Sequence, residues 1–197
     1  MEKLINGKFY HIYNRGNNRE DLFLTDENYY YFLRLYQKYI DPIADTFAWV
    51  LMKNHFHLLV RIKKSDSDLP GFVNLEGLNR NLPSQAFSNL FNAYTKAINK
   101  RYNRTGSLFE KNFHRKEVSS DKYFRQLVIY IHTNPVHHGF TQDFKDYPWS
   151  SYGSIISLKP ANPLRNEVIG WFNDKVNFID VHNRQLDIEP IKDFIIE

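Results

Sequence analysis

The sequence predicts an α+β domain with a central antiparallel sheet in the ferredoxin-like split βαβ arrangement. Three observations lead to this prediction. Apolar and polar residues alternate over 8–15, the two-residue period of half-buried strands, and the apolar-rich runs 46–52 and 55–62 predict a hairpin. Apolar residues recur at helical spacing over 26–40 and 84–102. The resulting order, strand-helix-strand-strand-helix-strand, is that of the split βαβ pattern.

Recognisable boundary residues justify each element. Thr25 or Asp26 caps the first helix, Lys53 and Asn54 form a hairpin turn, and Pro83 precedes the second helix. The elements in chain order are a strand at 8–15, a helix at 26–40, strands at 46–52 and 55–62, a connecting loop at 64–83, a helix at 84–102, a strand at 113–118 and a helix at 121–133.

The last of these helices has a signal at each end. Asp121 follows two serines and offers an N-terminal cap, and Pro135 disfavours helical geometry at Asn134. We therefore expect this helix to end near Asn134.

The 197 residues suffice for one domain with a sizeable core, which we place at 1–158. The apolar stretches 168–172 and 178–181 predict a helical extension over 159–197 that packs on it. We find no apolar span of membrane length and no signal peptide. The absence of cysteine excludes disulfides, thiolate metal sites and cysteine nucleophiles, so we expect a cytoplasmic protein.

The distribution of charge favours a nucleic-acid partner. The net charge is +4, and residues 1–139 hold 20 basic and 13 acidic residues, against 6 and 9 in 140–197. Basic and aromatic residues alternate over 94–116, a mixture that can neutralise phosphates and stack unpaired bases. A solvated helix face above core aromatics is the alternative interpretation. The basic residues of this segment are Lys96, Lys100, Arg101, Arg104, Lys111, Arg115 and Lys116, and the aromatic residues are Tyr94, Tyr102, Phe109 and Phe113.

Two histidines form a candidate metal platform. His55 and His57 lie two residues apart in a predicted strand, so their imidazoles project from the same face and could bind one ion. The alternative is a pair of solvated or hydrogen-bonded histidines.

A tyrosine and an asparagine supply a candidate nucleophile and a further ligand. Tyr130 and Asn134 lie four residues apart, about one turn on the same helix face. A core tyrosine near a capping asparagine would give the same pattern. Helical spacing turns His132 away from this face, which argues against a larger histidine cluster. Tyr94, Tyr102 and Tyr123 are rival nucleophiles.

Taken together, these stretches resemble the single-tyrosine HUH transposases, especially the branch of REP-associated tyrosine transposases. The resemblance runs in family order across about the first 150 residues. Its motifs are YHIYNRG at 10–16, LMKNHFHLL at 51–59, RYNRTGSLF at 101–109, YIHTNPVHHG at 130–139 and DYPWSS at 146–151.

The resemblance implies a metal-dependent endonuclease and strand-transfer activity on single-stranded, hairpin-containing DNA. It implies that His55, His57 and Asn134 bind Mg²⁺ or Mn²⁺, and that Tyr130 forms a covalent 5′-phosphotyrosine. The family's fold agrees with the predicted arrangement. Arg15 precedes a turn at Gly16 and could reach a phosphate, although a plain turn is the alternative.

Other expectations follow from the same residues. Imidazole ligands suit Mn²⁺ better than Mg²⁺, so Mn²⁺ should support activity at least as well. The chain has no phosphate-binding glycine-rich loop, and no nucleotide cofactor is expected. We favour a monomer over a homodimer. Two alternative functions stay open at this point, namely a domesticated binder of structured nucleic acid that does not cleave, and a metal-dependent hydrolase that uses an activated water.

Overall fold

The computed structural model describes residues 3–64, 82–157 and 163–184. The predicted loop at 64–83 and the end of the C-terminal extension lie almost wholly outside these residues. The strands are β1 (Phe9–Arg15), β2 (Ala44–Leu51), β3 (His55–Ile62) and β4 (His114–Val118). The α-helices are α1 (Asp26–Tyr39), α2 (Leu82–Arg101), α3 (Asp121–His137), α4 (Tyr152–Ile156), α5 (Pro163–Trp171) and α6 (Lys175–Asn183).

The four strands form one antiparallel sheet in the order β2-β3-β1-β4, which confirms the predicted fold class. Alternation along β1 and β3 separates the side chains of the two faces. Tyr10, Ile12 and Phe56 point into a core shared with α1 and α2. Leu59 points to the opposite face, where α3, α5 and α6 cover the sheet. The histidines of β3 share the face of Leu59, because they lie at the same parity.

Helix α3 departs from its prediction at both ends. Ser120, not Asp121, is the N-cap, and its hydroxyl accepts a hydrogen bond from the Tyr123 amide at 3.3 Å. The prediction that Pro135 ends the helix is wrong, since α3 continues to His137. Proline removes one hydrogen-bond donor, but the His138 amide still donates to the Asn134 carbonyl at 3.1 Å and closes the last turn.

The C-terminal helices pack on the same sheet face as α3. The Trp171 ring lies 5.1 Å from that of Phe47 and 6.0 Å from that of Phe9, measured between ring centroids. Phe178 of α6 is fully buried against Phe172, at 5.0 Å. The boundary between a domain at 1–158 and an extension at 159–197 stays a prediction. None of the helices in the described ranges is long and apolar enough to cross a membrane.

Candidate metal and nucleophile site

His55 and His57 both point into the interface between the sheet and α3. Their ring centroids are 5.4 Å apart, His57 is fully buried and His55 is 5% exposed. One nitrogen of each ring has a partner within the protein. The Nδ1 atom of His55 lies 2.7 Å from Asn54 Oδ1, and the Nδ1 atom of His57 lies 2.9 Å from His11 Nε2. The Nε2 atom of each ring is buried without a hydrogen-bond partner.

The contact with Asn54 favours one tautomer of His55, and the contact with His11 is compatible with the same tautomer of His57. The Asn54 oxygen can only accept, so His55 carries its proton on Nδ1 and keeps a lone pair on Nε2. If His11 Nε2 accepts from His57 Nδ1, the lone pair of His57 lies on Nε2 as well. Histidine ligands of metals commonly donate their second ring N–H to such a partner. The sequence analysis did not identify His11 as part of the site. Tyr13 of β1 pairs with His57, and His11 lies two residues before Tyr13, so His11 shares the histidine face.

Helix α3 brings Tyr130 and Asn134 to the same place. The Tyr130 ring centroid lies 5.4 Å from that of His57. Both side chains are buried, and neither the Tyr130 hydroxyl nor the Asn134 amide has a hydrogen bond of ordinary geometry. The Asn134 amide nevertheless partly opposes the effect of burial on the pKa values of His55 and Tyr130, so it lies beside both groups. The site therefore joins two imidazoles, one amide and one phenol.

Burial dominates the electrostatics of these groups. It lowers the pKa of His55 to about 4, with smaller contributions from the charges of His138 and Arg15. It also lowers the pKa of His57 well below its ordinary value. Burial raises the pKa of Tyr130 to about 12. At neutral pH the imidazoles are neutral and keep their lone pairs, while the phenol keeps its proton.

The donor atoms of this site fit a divalent cation. Buried polar atoms without partners are uncommon and call for an explanation such as a bound ion. At this site they include the Nε2 atoms of His55 and His57 and the Oδ1 atom of Asn134, together with the Asn134 Nδ2 atom, the Tyr130 hydroxyl and the Nδ1 atom of His11. Within the described ranges, no three His, Cys, Asp or Glu side chains are grouped closely enough to hold a metal. A cation at this place would therefore depend on the amide as its third protein ligand.

Comparison with known proteins finds relatives that are similar to this chain in sequence. No protein-family model matches the chain. A candidate REP-associated tyrosine transposase of Haemophilus influenzae is 26% identical over 111 residues, which is 55% of this chain and only 58% of that relative's length. The REP-associated tyrosine transposase of Escherichia coli is 23% identical over 176 residues, 87% of this chain and 88% of that protein. The chain is therefore similar to REP-associated tyrosine transposases, in one case over most of its length.

A solved member of this family has the same fold. The structure of a REP-associated tyrosine transposase bound to a REP hairpin aligns with a TM-score of 0.59 at 17% identity. The alignment covers 84% of this chain and 88% of the other.

His132 and His138 differ in their position relative to the site. His132 faces away from the site, as predicted, and contacts His182 and Ser151 in a buried network. His138 lies against His55, with ring centroids 4.6 Å apart. The sequence did not predict this contact, because it depends on α3 continuing one turn beyond Asn134.

The predicted DNA-binding residues divide between the two sheet faces. Arg15 lies beside His55 and forms an ion pair with Glu110 at 2.5 Å. Lys116 lies on the histidine face of β4, and its charge adds to the burial that lowers the pKa of His11. Lys111 is exposed in the loop before β4. The other predicted residues lie on or near α2, across the sheet. Arg104 forms an ion pair with Glu20, and Arg115 donates to the Ser84 hydroxyl. The remaining members of this group are Lys96, Lys100 and Arg101.

The aromatic residues that alternate with these charges do not form a base-stacking surface. Tyr94, Phe109 and Phe113 are at most 6% exposed and belong to the core between the sheet and α2. Tyr102 packs partly against that core and donates to Asn28 at 3.1 Å. For Tyr94, Phe109 and Phe113 the expectation of base stacking is wrong, because the faces of these rings are buried in the core. The Tyr94 hydroxyl also donates to the Leu22 carbonyl at 2.7 Å. This contact argues against Tyr94 as the nucleophile.

Proposed function

We propose that this chain is a metal-dependent endonuclease and strand-transfer enzyme that nicks single-stranded, hairpin-containing DNA through a covalent 5′-phosphotyrosine. The observation that carries the proposal is the buried, unpartnered Tyr130 hydroxyl beside the unpartnered donor atoms of His55, His57 and Asn134. The solved relative that is bound to a REP hairpin supports hairpin DNA as the substrate class.

Tyr130 would act as the nucleophile. Its phenol loses a proton, a bond forms between its oxygen and the phosphorus, and the bond from phosphorus to the 3′ oxygen breaks. The 3′ oxygen leaves as a hydroxyl after it takes up a proton. With a pKa of about 12, roughly one phenol in 10⁴ to 10⁵ is ionised near neutral pH. Tyr130 therefore needs a nearby positive charge before it can attack at a useful rate.

His55, His57 and Asn134 would hold Mg²⁺ or Mn²⁺. When bound, the cation would stabilise the tyrosine anion and the charge that develops on the phosphate. His11 and Asn54 would keep the Nε2 lone pairs directed into the site, since each would accept a hydrogen bond from the Nδ1 atom of a ligand histidine. The lowered pKa of His55 keeps this ligand neutral throughout the physiological range.

The covalent link explains how strands could be rejoined without a nucleotide cofactor. A phosphotyrosine is a phosphodiester, so it retains the bond energy of the broken linkage. A 3′-hydroxyl could attack it and release Tyr130. This attack is the reverse of the first step. The bond from phosphorus to the Tyr130 oxygen breaks, the bond to the 3′ oxygen forms, and the phenol regains its proton.

One chain supplies all four of these side chains, which supports a monomer that works in cis. Tyr130 lies beside His57 of the same chain, so no second copy is needed to complete the site. Light scattering of the protein with and without hairpin DNA would test this expectation. A dimer that forms only with DNA would contradict it.

The decisive experiment compares the protein with Tyr130→Phe on single-stranded hairpin DNA labelled at either end, in the presence of Mn²⁺. We expect a protein–DNA adduct that carries only the 3′ label and is absent from the variant. Tyr123→Phe is the matched control, because it makes the same change seven residues earlier on α3 and should leave the adduct intact.

Two outcomes would contradict the proposal in different ways. Cleavage that persists in Tyr130→Phe would mean that an activated water attacks the phosphate, as in a metal-dependent hydrolase. Tight binding without any cleavage by the unmodified protein, across a diverse pool of hairpins, would indicate a binder that does not cleave.

A further inference from the structure

Three rings cross the sheet in a row from the candidate metal site to the sheet edge. The strand register places Tyr13 of β1 opposite His57 of β3 on one side and His114 of β4 on the other. The ring centroids of Tyr13 and His57 are 5.7 Å apart, and those of Tyr13 and His114 are 4.9 Å apart. Tyr13 and His114 are nearly parallel, with an interplanar angle of 5°.

Exposure increases along this row. His57 is fully buried, Tyr13 is partly exposed and His114 is exposed. β4 is the edge strand of the sheet in the described residues, so no further strand lies beyond His114. Lys116 is also exposed and lies two residues along β4, hence on the same face. An exposed ring and a cation thus lie next to each other at the edge nearest Tyr13.

We propose that His114, backed by Tyr13, is a stacking platform for one unpaired base of the single-stranded DNA that leads away from the nicked phosphate. This inference rests on the proposed function. A nucleobase could stack on the exposed ring and extend the row by one member, while Lys116 contacts its phosphate. The occupant is a base rather than an apolar peptide, because a flat aromatic ring beside a cation suits a nucleotide.

Three aromatic rings on the α2 side of the sheet are not accessible to a base. Tyr94, Phe109 and Phe113 are buried in the opposite core, as described above. Tyr30 of α1 is 61% exposed, but α1 covers the other face of the sheet, where its ring packs edge-on against Trp149. His114 is the exposed ring that continues directly from a candidate metal ligand.

The test measures binding separately from cleavage. Tyr130→Phe protein is titrated against a fluorescein-labelled DNA hairpin with oligothymidine flanks on both sides, in Mn²⁺, and binding is followed by fluorescence anisotropy. Each thymine of the flanks is then replaced, one at a time, by an abasic site. We expect one position at which loss of the base weakens binding about tenfold, as stacking on an aromatic side chain predicts.

Variants at His114 identify the platform. Adding His114→Ala should weaken binding to the intact flank about tenfold and abolish the penalty at that one abasic position. His114→Phe should retain both the affinity and the penalty, because it keeps a ring without a titratable nitrogen. Tyr30→Ala is the control and should preserve the whole abasic profile.

The outcomes separate this inference from the function on which it rests. An unchanged abasic profile in His114→Ala overturns the platform while the proposed function stands. A loss of affinity in His114→Phe equal to that in His114→Ala also overturns it, since the imidazole would then act through its nitrogen atoms. If Tyr130→Phe protein binds no hairpin DNA and the unmodified protein forms no adduct, the proposed function fails and the inference fails with it.

Discussion

A chain of hydrogen bonds between α3 and the C-terminal helix makes the stability of this protein depend on pH. His182 Nδ1 donates to the Phe178 carbonyl at 2.7 Å, so its Nε2 accepts from His132 Nδ1 at 2.9 Å. His132 Nε2 then accepts from the Ser151 hydroxyl at 2.8 Å. Every ring nitrogen is satisfied while both imidazoles are neutral. A proton added to His182 Nε2 would force the chain to reverse, with His132 accepting at Nδ1 and Ser151 donating to the Trp49 carbonyl.

The direction and size of the effect follow from the lowered pKa values. Burial lowers the pKa of His182 to about 4, against an ordinary value of 6.5. The unfolded chain therefore takes up this proton first as the pH falls. The contribution to stability is fully present above about pH 6.5 and is lost as the pH falls toward 4. Linkage gives a loss of about 2.5 kcal/mol between about pH 7.5 and pH 4.5 for this group.

The substitution His182→Gln isolates this contribution. The glutamine oxygen can still accept from His132, but the side chain does not titrate. We expect the free energy of unfolding of the variant to fall by about 2.5 kcal/mol less than that of the unmodified protein over the same pH interval. The measurement is urea unfolding followed by tryptophan fluorescence at both pH values, with a chelator present so that metal binding does not contribute.

His137→Gln serves as the control, because His137 lies on α3 and is exposed, so burial lowers its pKa less than that of His182. It should change the pH dependence much less than His182→Gln does. Parallel pH dependences for His182→Gln and the unmodified protein would refute the reasoning, since they would mean that His182 titrates alike in the folded and unfolded chains.

Two further substitutions test the site and the turn beside it. His11→Leu removes the hydrogen-bond partner of His57 Nδ1 and should weaken Mn²⁺ binding about 10- to 100-fold in calorimetric titrations, with His11→Gln restoring part of it; equal affinities would contradict the supporting role of His11. Gly16→Ala should lower the free energy of unfolding by roughly 1–3 kcal/mol, because the added Cβ would lie 1.9 Å from the Glu20 carbonyl oxygen. Gly153→Ala is its control, since no atom lies within 4 Å of the added Cβ, and equal effects of the two changes would contradict the steric explanation.

Local periodicity predicted the elements and the pairs within them. The two-residue period of a strand puts His55 and His57 on one face, and the helical period puts Tyr130 and Asn134 one turn apart. These relations depend only on backbone geometry within one element, so they needed no tertiary information. The element order likewise sufficed for the fold class.

Tertiary structure decided which faces meet and what each one covers. The contact of His11 with His57 depends on the register between β1 and β3, and the contact of His138 with His55 depends on α3 continuing past Pro135. The charge pattern could not show that Arg115 faces α2 while Lys116 shares the histidine face, because alternation separates neighbours without saying which side holds the site. Burial of ring faces likewise depends on packing between distant segments, which a single chain's composition does not specify.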